Sequence, residues 1–386
     1  MDHWGLPGQL DELKRQQLYR SRQIIEGPQG ARVQIAATSY DNFSSNDYLG
    51  LANHPAVIKA FQQAAEKYGV GSGSAHLICG HSSEHHALEE ELAEFSGRQR
   101  ALIFSTGYMA NLGVISALVK KGDEVFQDKL NHASLIDGGL ISGARFRRYP
   151  HGELNRLQQI VEQSSSAKKL IVSDGVFSMD GDEANVSKLA SIAAQTNAML
   201  MIDDAHGVGV LGKNGAGLLE KHGLNQQQVP ILMATLGKSL GTAGAFVAGS
   251  EELIETLIQG ARTYIFTTAM PSAMMAATRA SLQLCQLENW RREKLAALVA
   301  QFRLGAQQLG LNVMPSSTPI QALILGSNQA VMSVGQRLKE KSILVGAIRH
   351  PTVAKNTERL RITFTANHTE SQVEGLLLAL EGAVRD

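Results

Sequence analysis

Three side chains near the middle of the chain have the types and spacing for covalent chemistry. Asp203 and His206 come at and just after the apolar run MLMID (199–203), and Lys238 follows the run ILMAT (231–235), with Gly237 before it and Gly241 beyond. Each run reads as a short buried strand, and open α/β sheets present their functional residues at the carboxyl ends of such strands. A lysine in that setting, with no amphipathic pattern around it, is poorly explained as a solvated surface charge. An acid, a histidine and a lysine at neighbouring strand ends suit a Schiff base to an aromatic aldehyde whose ring nitrogen the acid keeps protonated. Asp204, next to Asp203, points to the opposite face if the strand continues and is read as structural.

Two further groups fit around this centre. The segment Ser105-Thr106-Gly107-Tyr108 follows the strand ALIFS and opens a helix, so the free amides of Gly107 and Tyr108 form a seat for an anion such as a phosphate. Arg361 alternates with Leu360 and Ile362 in the otherwise apolar or β-branched RLRITFT, which aims its guanidinium inward, where a substrate carboxylate would be matched. His76, His81, His85 and His86 raise a metal site, since His81 and His85 are four apart. There is no HExxH pattern and no convincing third ligand, so the segment reads as a loop entering a Glu-rich helix over 83–96, with no metal.

The elements that must position these residues follow a strand-then-helix rhythm from residue 101. ALIFS, EVFQD (124–128), RFRRY (145–149), LIVSD (170–174), MLMID, ILMAT and AFVAG (245–249) predict a mostly parallel seven-stranded sheet covered on both faces. Only about nine residues separate ILMAT from AFVAG, too few for a helical crossover, so that last strand runs antiparallel. Upstream, an amphipathic helix is expected over 9–26, stopped by the Gly-Pro-Gln-Gly at 27–30, then a strand over 32–37, a polar loop NFSSNDYLGL (42–51) and a helix over 55–68. The glycines at 69, 71 and 73 are not a dinucleotide loop, because a helix precedes them. Downstream, one long helix over 271–309 leads to strands over 319–325, 343–348 and 359–364, and Thr369 with Gln372 caps a closing helix. The expected division is an N-terminal helix and strand (1–45), a large domain (46–275) and a smaller α/β domain (276–386).

Composition narrows the function classes. The 386 residues are 44% hydrophobic and carry 36 basic and 36 acidic side chains, so no bulk field favours nucleic acid or an anionic membrane. Two cysteines, Cys79 and Cys285, are too few for a disulfide framework. Neither an export signal nor a membrane-spanning run is read, and the expected location is the cytoplasm.

The motifs SDGVFSMDGD (173–182), IDDAHGVG (202–209) and TLGKSLGTAGA (235–245) resemble the α-oxoamine synthases, fold-type-I pyridoxal 5'-phosphate enzymes. SSNDYLGLANHP, GSGSAHLICGHSSEHHALEEELAEF and AIRHPTVAKNTERLRITFTA resemble the branch that condenses L-alanine with a pimeloyl thioester, as pimeloyl-CoA or pimeloyl-carrier protein, on the route to biotin. The likeness runs from about residue 15 to the end. It implies Lys238 as the Schiff-base lysine and proton carrier, Asp203 at the ring nitrogen, His206 and Ser178 at the ring's phenolate oxygen, and His132 flat on the ring. Thr235 would add a hydroxyl to the phosphate seat, and Thr267 or Thr268 would reach that phosphate from the second subunit of a homodimer. Arg20, Asn46, Arg349 and Thr352 would join Arg361 on the substrate side. His76 stands where relatives often carry arginine, which is a departure on that side. The rival readings are a glycine C-acetyltransferase or another α-oxoamine synthase, and, from a different class, an aminotransferase on the same fold.

Overall fold

The computed structural model describes residues 3–16 and 18–385. Twelve strands are described: β1 (Arg32–Ile35), β2 (Thr38–Phe43), β3 (Arg100–Phe104), β4 (Glu124–Asp128), β5 (Arg145–Tyr149), β6 (Lys169–Asp174), β7 (Met199–Asp203), β8 (Ile231–Thr235), β9 (Ala245–Gly249), β10 (Ile320–Ile324), β11 (Ile343–Ile348) and β12 (Arg359–Thr363). Seven of them form one sheet in the order β3-β9-β8-β7-β6-β4-β5. All its pairings are parallel except those of β9, which runs antiparallel to both β3 and β8. This is the sheet expected of a fold-type-I enzyme.

The apolar runs are continuous because both sheet faces are covered. Along β6 and β7, Leu170, Val172 and Met201 pack with Val114, Ile115 and Leu135 on one face. Ile171, Leu200 and Ile202 pack with Leu157, Leu189 and Ile192 on the other. Burying side chains of this size contributes about 1.5–3 kcal/mol each, which holds the strand ends in place for the polar residues they carry.

The second sheet has the order β1-β2-β11-β12-β10. Here the structure corrects the sequence reading. Residues assigned to an N-terminal piece do not stand apart: β2 pairs parallel with β11, Asp41 opposite Ile343. The strand expected over 32–37 ends at Ile35, since Ala36 and Ala37 turn with φ of 46° and 63°, and β2 was missed altogether. Two alanines give no Asn-Gly type of turn signal, so the hairpin was not legible. The first helix spans Leu6–Arg15 and not 9–26; the amides of Leu18 and Tyr19 fold back onto Leu13 O, and none of the helix is buried. The long helix over 271–309 is two, Ser272–Leu287 and Trp290–Gln308, because Glu288 leaves helical geometry at ψ 61°. Among the described residues no helix is long and apolar enough to cross a membrane.

Candidate active site

The carboxyl ends of β6, β7 and β8 deliver Asp174, Asp203 and Thr235 to one rim of the larger sheet. A cavity of about 190 Å³ opens there, lined by Asp203, His206, Lys238, His132, Ser178 and Asn111 among others. Gly107, Tyr108 and Thr235 also line it. Gly107 starts the helix Gly107–Leu118, whose cap Thr106 accepts from Met109 N at 3.1 Å, so the positive end of the helix faces the cavity. The Thr235 hydroxyl is itself occupied, donating to Gly244 O at 3.0 Å and accepting from Gly237 N at 3.3 Å.

Lys238 Nζ lies 2.8 Å from His206 Nε2. Burial lowers the Lys238 ammonium to about 8, against the opposing pull of Asp203 and Asp174. Burial, reinforced by Lys238, Arg361 and His132, holds the His206 imidazole well below its usual value, so it is neutral. Asp203 Oδ2 accepts from Asn111 Nδ2 at 2.7 Å and Oδ1 from Ala205 N at 3.1 Å, which fixes the carboxylate at the base of the cavity. Asp204, buried, accepts from Leu218 N at 2.6 Å on the other side of the turn, as its structural reading expects.

His132 caps the helix Ala133–Ile141 and bonds Ser134 Oγ through Nδ1 at 2.8 Å, while its own amide donates to Asp174 Oδ2 at 2.7 Å. Its ring is exposed to the cavity, where a planar ligand could stack. Arg361 comes from β12 of the second sheet. Its Nε donates to Ser178 O at 2.6 Å and its Nη2 to Asn46 Oδ1 at 3.1 Å.

Not every expected residue meets here. Arg20 is exposed beyond the first helix, and Arg349 and Thr352, joined by Thr352 N to Arg349 O at 2.9 Å, lie past the end of β11; none lines the cavity. Thr267 and Thr268 also lie outside it, Thr268 bridging to Ala75. His81 and His85 do not share a helix face, because the helix begins at Ser83 and His85 closes a capping box with Ser82. His81, His86 and Glu89 instead offer ligand atoms within 4.8 Å of one another, a looser grouping than the roughly 3.3 Å between donors on tetrahedral zinc.

Three cavity residues were given no role in the sequence reading: Asn111, Ser134 and Asp174. Asp174 had a signal, since LIVSD and MLMID both end in aspartate and adjacent parallel strands bring those ends together. Tyr48, in the polar loop over 42–51, is wholly buried. The donor set suits pyridoxal phosphate: an amine of lowered pKa, a carboxylate held by two donors, an exposed histidine ring, and a helix amino terminus for the phosphate. Lys238, Asp203, His132 and the Gly107–Tyr108 amides are the groups that would hold it.

Sheet, rim and donor set together define a fold-type-I pyridoxal-phosphate-dependent enzyme, and residues 39–380 match the family described as aminotransferase class I and II. Relatives give the branch. An 8-amino-7-oxononanoate synthase of Cellvibrio japonicus is 59% identical over 96% of this chain and 94% of its own length. That of Saccharophagus degradans is 57% identical over 99% and 96%. The chain belongs to the 8-amino-7-oxononanoate synthase family. Among solved structures, serine palmitoyltransferase from Sphingomonas wittichii superposes with a TM-score of 0.94 at 29% identity, over 100% of this chain and 97% of that one. The 8-amino-7-oxononanoate synthase from Francisella tularensis gives 0.79 at 33%, over 89% and 97%.

Proposed function

We propose that this chain condenses L-alanine with a pimeloyl thioester, releasing CO2, the free thiol carrier and 8-amino-7-oxononanoate. The observation that carries the reading is Lys238 Nζ, buried 2.8 Å from a neutral His206 in a cavity that Asp203 floors and whose Ser178 flank is held by Arg361. Bound pyridoxal phosphate supplies the electron sink, a cationic ring that delocalises the negative charge developed at the amino acid's α-carbon.

The chain's own residues do the rest. With its pKa at about 8, Lys238 is roughly a quarter neutral at pH 7.5, against about a thousandth for an ordinary lysine, so it can both attach the aldehyde and carry the α-proton. Asp203 would keep the ring nitrogen of the bound cofactor protonated, His206 and Ser178 would hydrogen-bond its phenolate oxygen, and His132 would cover one ring face. Arg361, beside Asn46, receives alanine's carboxylate until it leaves as CO2. Arg20, Arg349 and Thr352 belong to the acyl-thioester side, and Thr267 or Thr268 to the phosphate seat of a second copy, which makes the working enzyme a homodimer of the cytoplasm.

Mass spectrometry of the product tests this. Alanine with pimeloyl-CoA or pimeloyl-carrier protein should give the amino ketone and CO2. Preference for glycine with acetyl-CoA would mark a glycine C-acetyltransferase, and a keto acid without CO2 an aminotransferase.

A further inference from the structure

Tyr48 sits between the two halves of the site and belongs to neither by sequence. Its ring is wholly buried and its hydroxyl meets three groups: His206 Nδ1 at 2.7 Å, Asn46 Oδ1 at 3.1 Å and Arg361 Nη2 at 3.4 Å. Proton accounting among them turns on Lys238, because an ammonium there donates to His206 Nε2 and would set the other protons the opposite way. A guanidinium only donates, so Arg361 donates to the Tyr48 oxygen as well as to Asn46 Oδ1. Tyr48 has a single proton and two acceptors in reach. Asn46 Oδ1 already accepts from Arg361 and is the more distant, so once Lys238 is joined to the cofactor and no longer presents an ammonium, the proton goes to His206 Nδ1. A neutral imidazole that accepts at Nδ1 carries its hydrogen on Nε2, the nitrogen that faces Lys238 at 2.8 Å.

The geometry points to Tyr48 as a positioning residue that fixes His206 with its Nε2–H toward Lys238 and the cofactor, and ties that histidine to Arg361. Burial first, then the charges of Lys238 and Arg361 and the neighbouring His132, oppose protonation of His206, which keeps the imidazole neutral. Cofactor side and carboxylate side are then registered through one hydroxyl. This role rests on the reading above that Arg361 receives the substrate carboxylate, but the tautomer itself does not.

Two measurements on the cofactor-loaded enzyme decide it. Long-range proton–nitrogen correlations with 15N-histidine should show His206 protonated on Nε2 with Nδ1 bare, and Tyr48→Phe should lose that pattern. The same variant, which removes one oxygen and keeps the ring, should raise the KM for alanine about five- to tenfold in a chain that still unfolds cooperatively. A native His206 protonated on Nδ1, or a Tyr48→Phe chain that keeps both tautomer and KM, overturns the inference. If Tyr48→Phe does not fold, the native tautomer alone decides. An Nε2–H tautomer in a chain that forms no amino ketone would support Tyr48's role and overturn the proposed function.

Discussion

Asp174 and Asp203 are direct partners across β6 and β7, two carboxylates at one rim of the sheet. Their environments separate them. Asp203 takes side-chain and backbone donors from Asn111 and Ala205. Burial, with Asp203 beside it, pushes the Asp174 carboxyl well above the usual carboxylate range, although the His132 amide opposes this. One member of the pair is steadied by two donors, and the other holds His132 in place.

Asp203→Asn should therefore lower kcat about 100- to 1,000-fold at saturating cofactor, because a neutral amide no longer keeps the ring cationic. Steady-state kinetics, with cofactor occupancy followed by absorbance, measure it. A loss of less than about threefold would remove Asp203 from the role.

Lys238 should be the attachment point. Borohydride reduction followed by peptide mass spectrometry should find the label at 238 in the native chain and nowhere in Lys238→Ala, whose turnover should fall about 10⁴-fold. The pH dependence follows from burial: the neutral amine is the nucleophile, and its pKa is lowered to about 8. The rate of cofactor attachment to the stripped enzyme should rise with pH and level off above about 8. A plateau only above pH 10 would mean an unperturbed lysine.

Arg361→Lys replaces a planar fork with a point charge. The KM for alanine should rise about 10- to 100-fold, with a smaller change in kcat, as initial-rate measurements would show. An unchanged KM would move the carboxylate site elsewhere.

His151 links the Ser178 loop to the larger sheet, Nδ1 to Asp128 at 3.1 Å and Nε2 to Asp182 at 3.0 Å. Hydrogen bonds to Asp128 and then Asp182 raise its pKa from 6.5 to about 10. A raised histidine pKa stabilises fully below the unfolded value near 6.5 and loses that contribution as pH climbs through about 10. With 32% of the side chain open to water, screening reduces the effect to on the order of 2 kcal/mol. Denaturant unfolding of native and His151→Gln chains should differ by about that much at pH 6 and converge by pH 10.5.

The larger sheet was legible because each strand is a short apolar run with its own boundaries: β4, β5, β7, β8 and β9 fall on EVFQD, RFRRY, MLMID, ILMAT and AFVAG as read. Lys238, Asp203 and His206 were legible for the same reason, since strand ends fix where they go. What escaped depends on distant partners. Tyr48 meets His206 across 158 positions and Arg361 across 313, and no local pattern encodes such a meeting. The Ala36-Ala37 turn hid β2, and Glu288 interrupts a helical periodicity that continues on both sides of it.

The pairing of Asp41 with Ile343 has a consequence for assembly. Every strand of the larger sheet lies between residues 100 and 249, so it can be laid down while the chain is still growing. The smaller sheet must wait for its last strands, which bring Arg361, before the amino-terminal hairpin has anything to pair with. A ribosome-bound chain therefore has the makings of its lysine-bearing wall well before it acquires the wall that recognises a carboxylate.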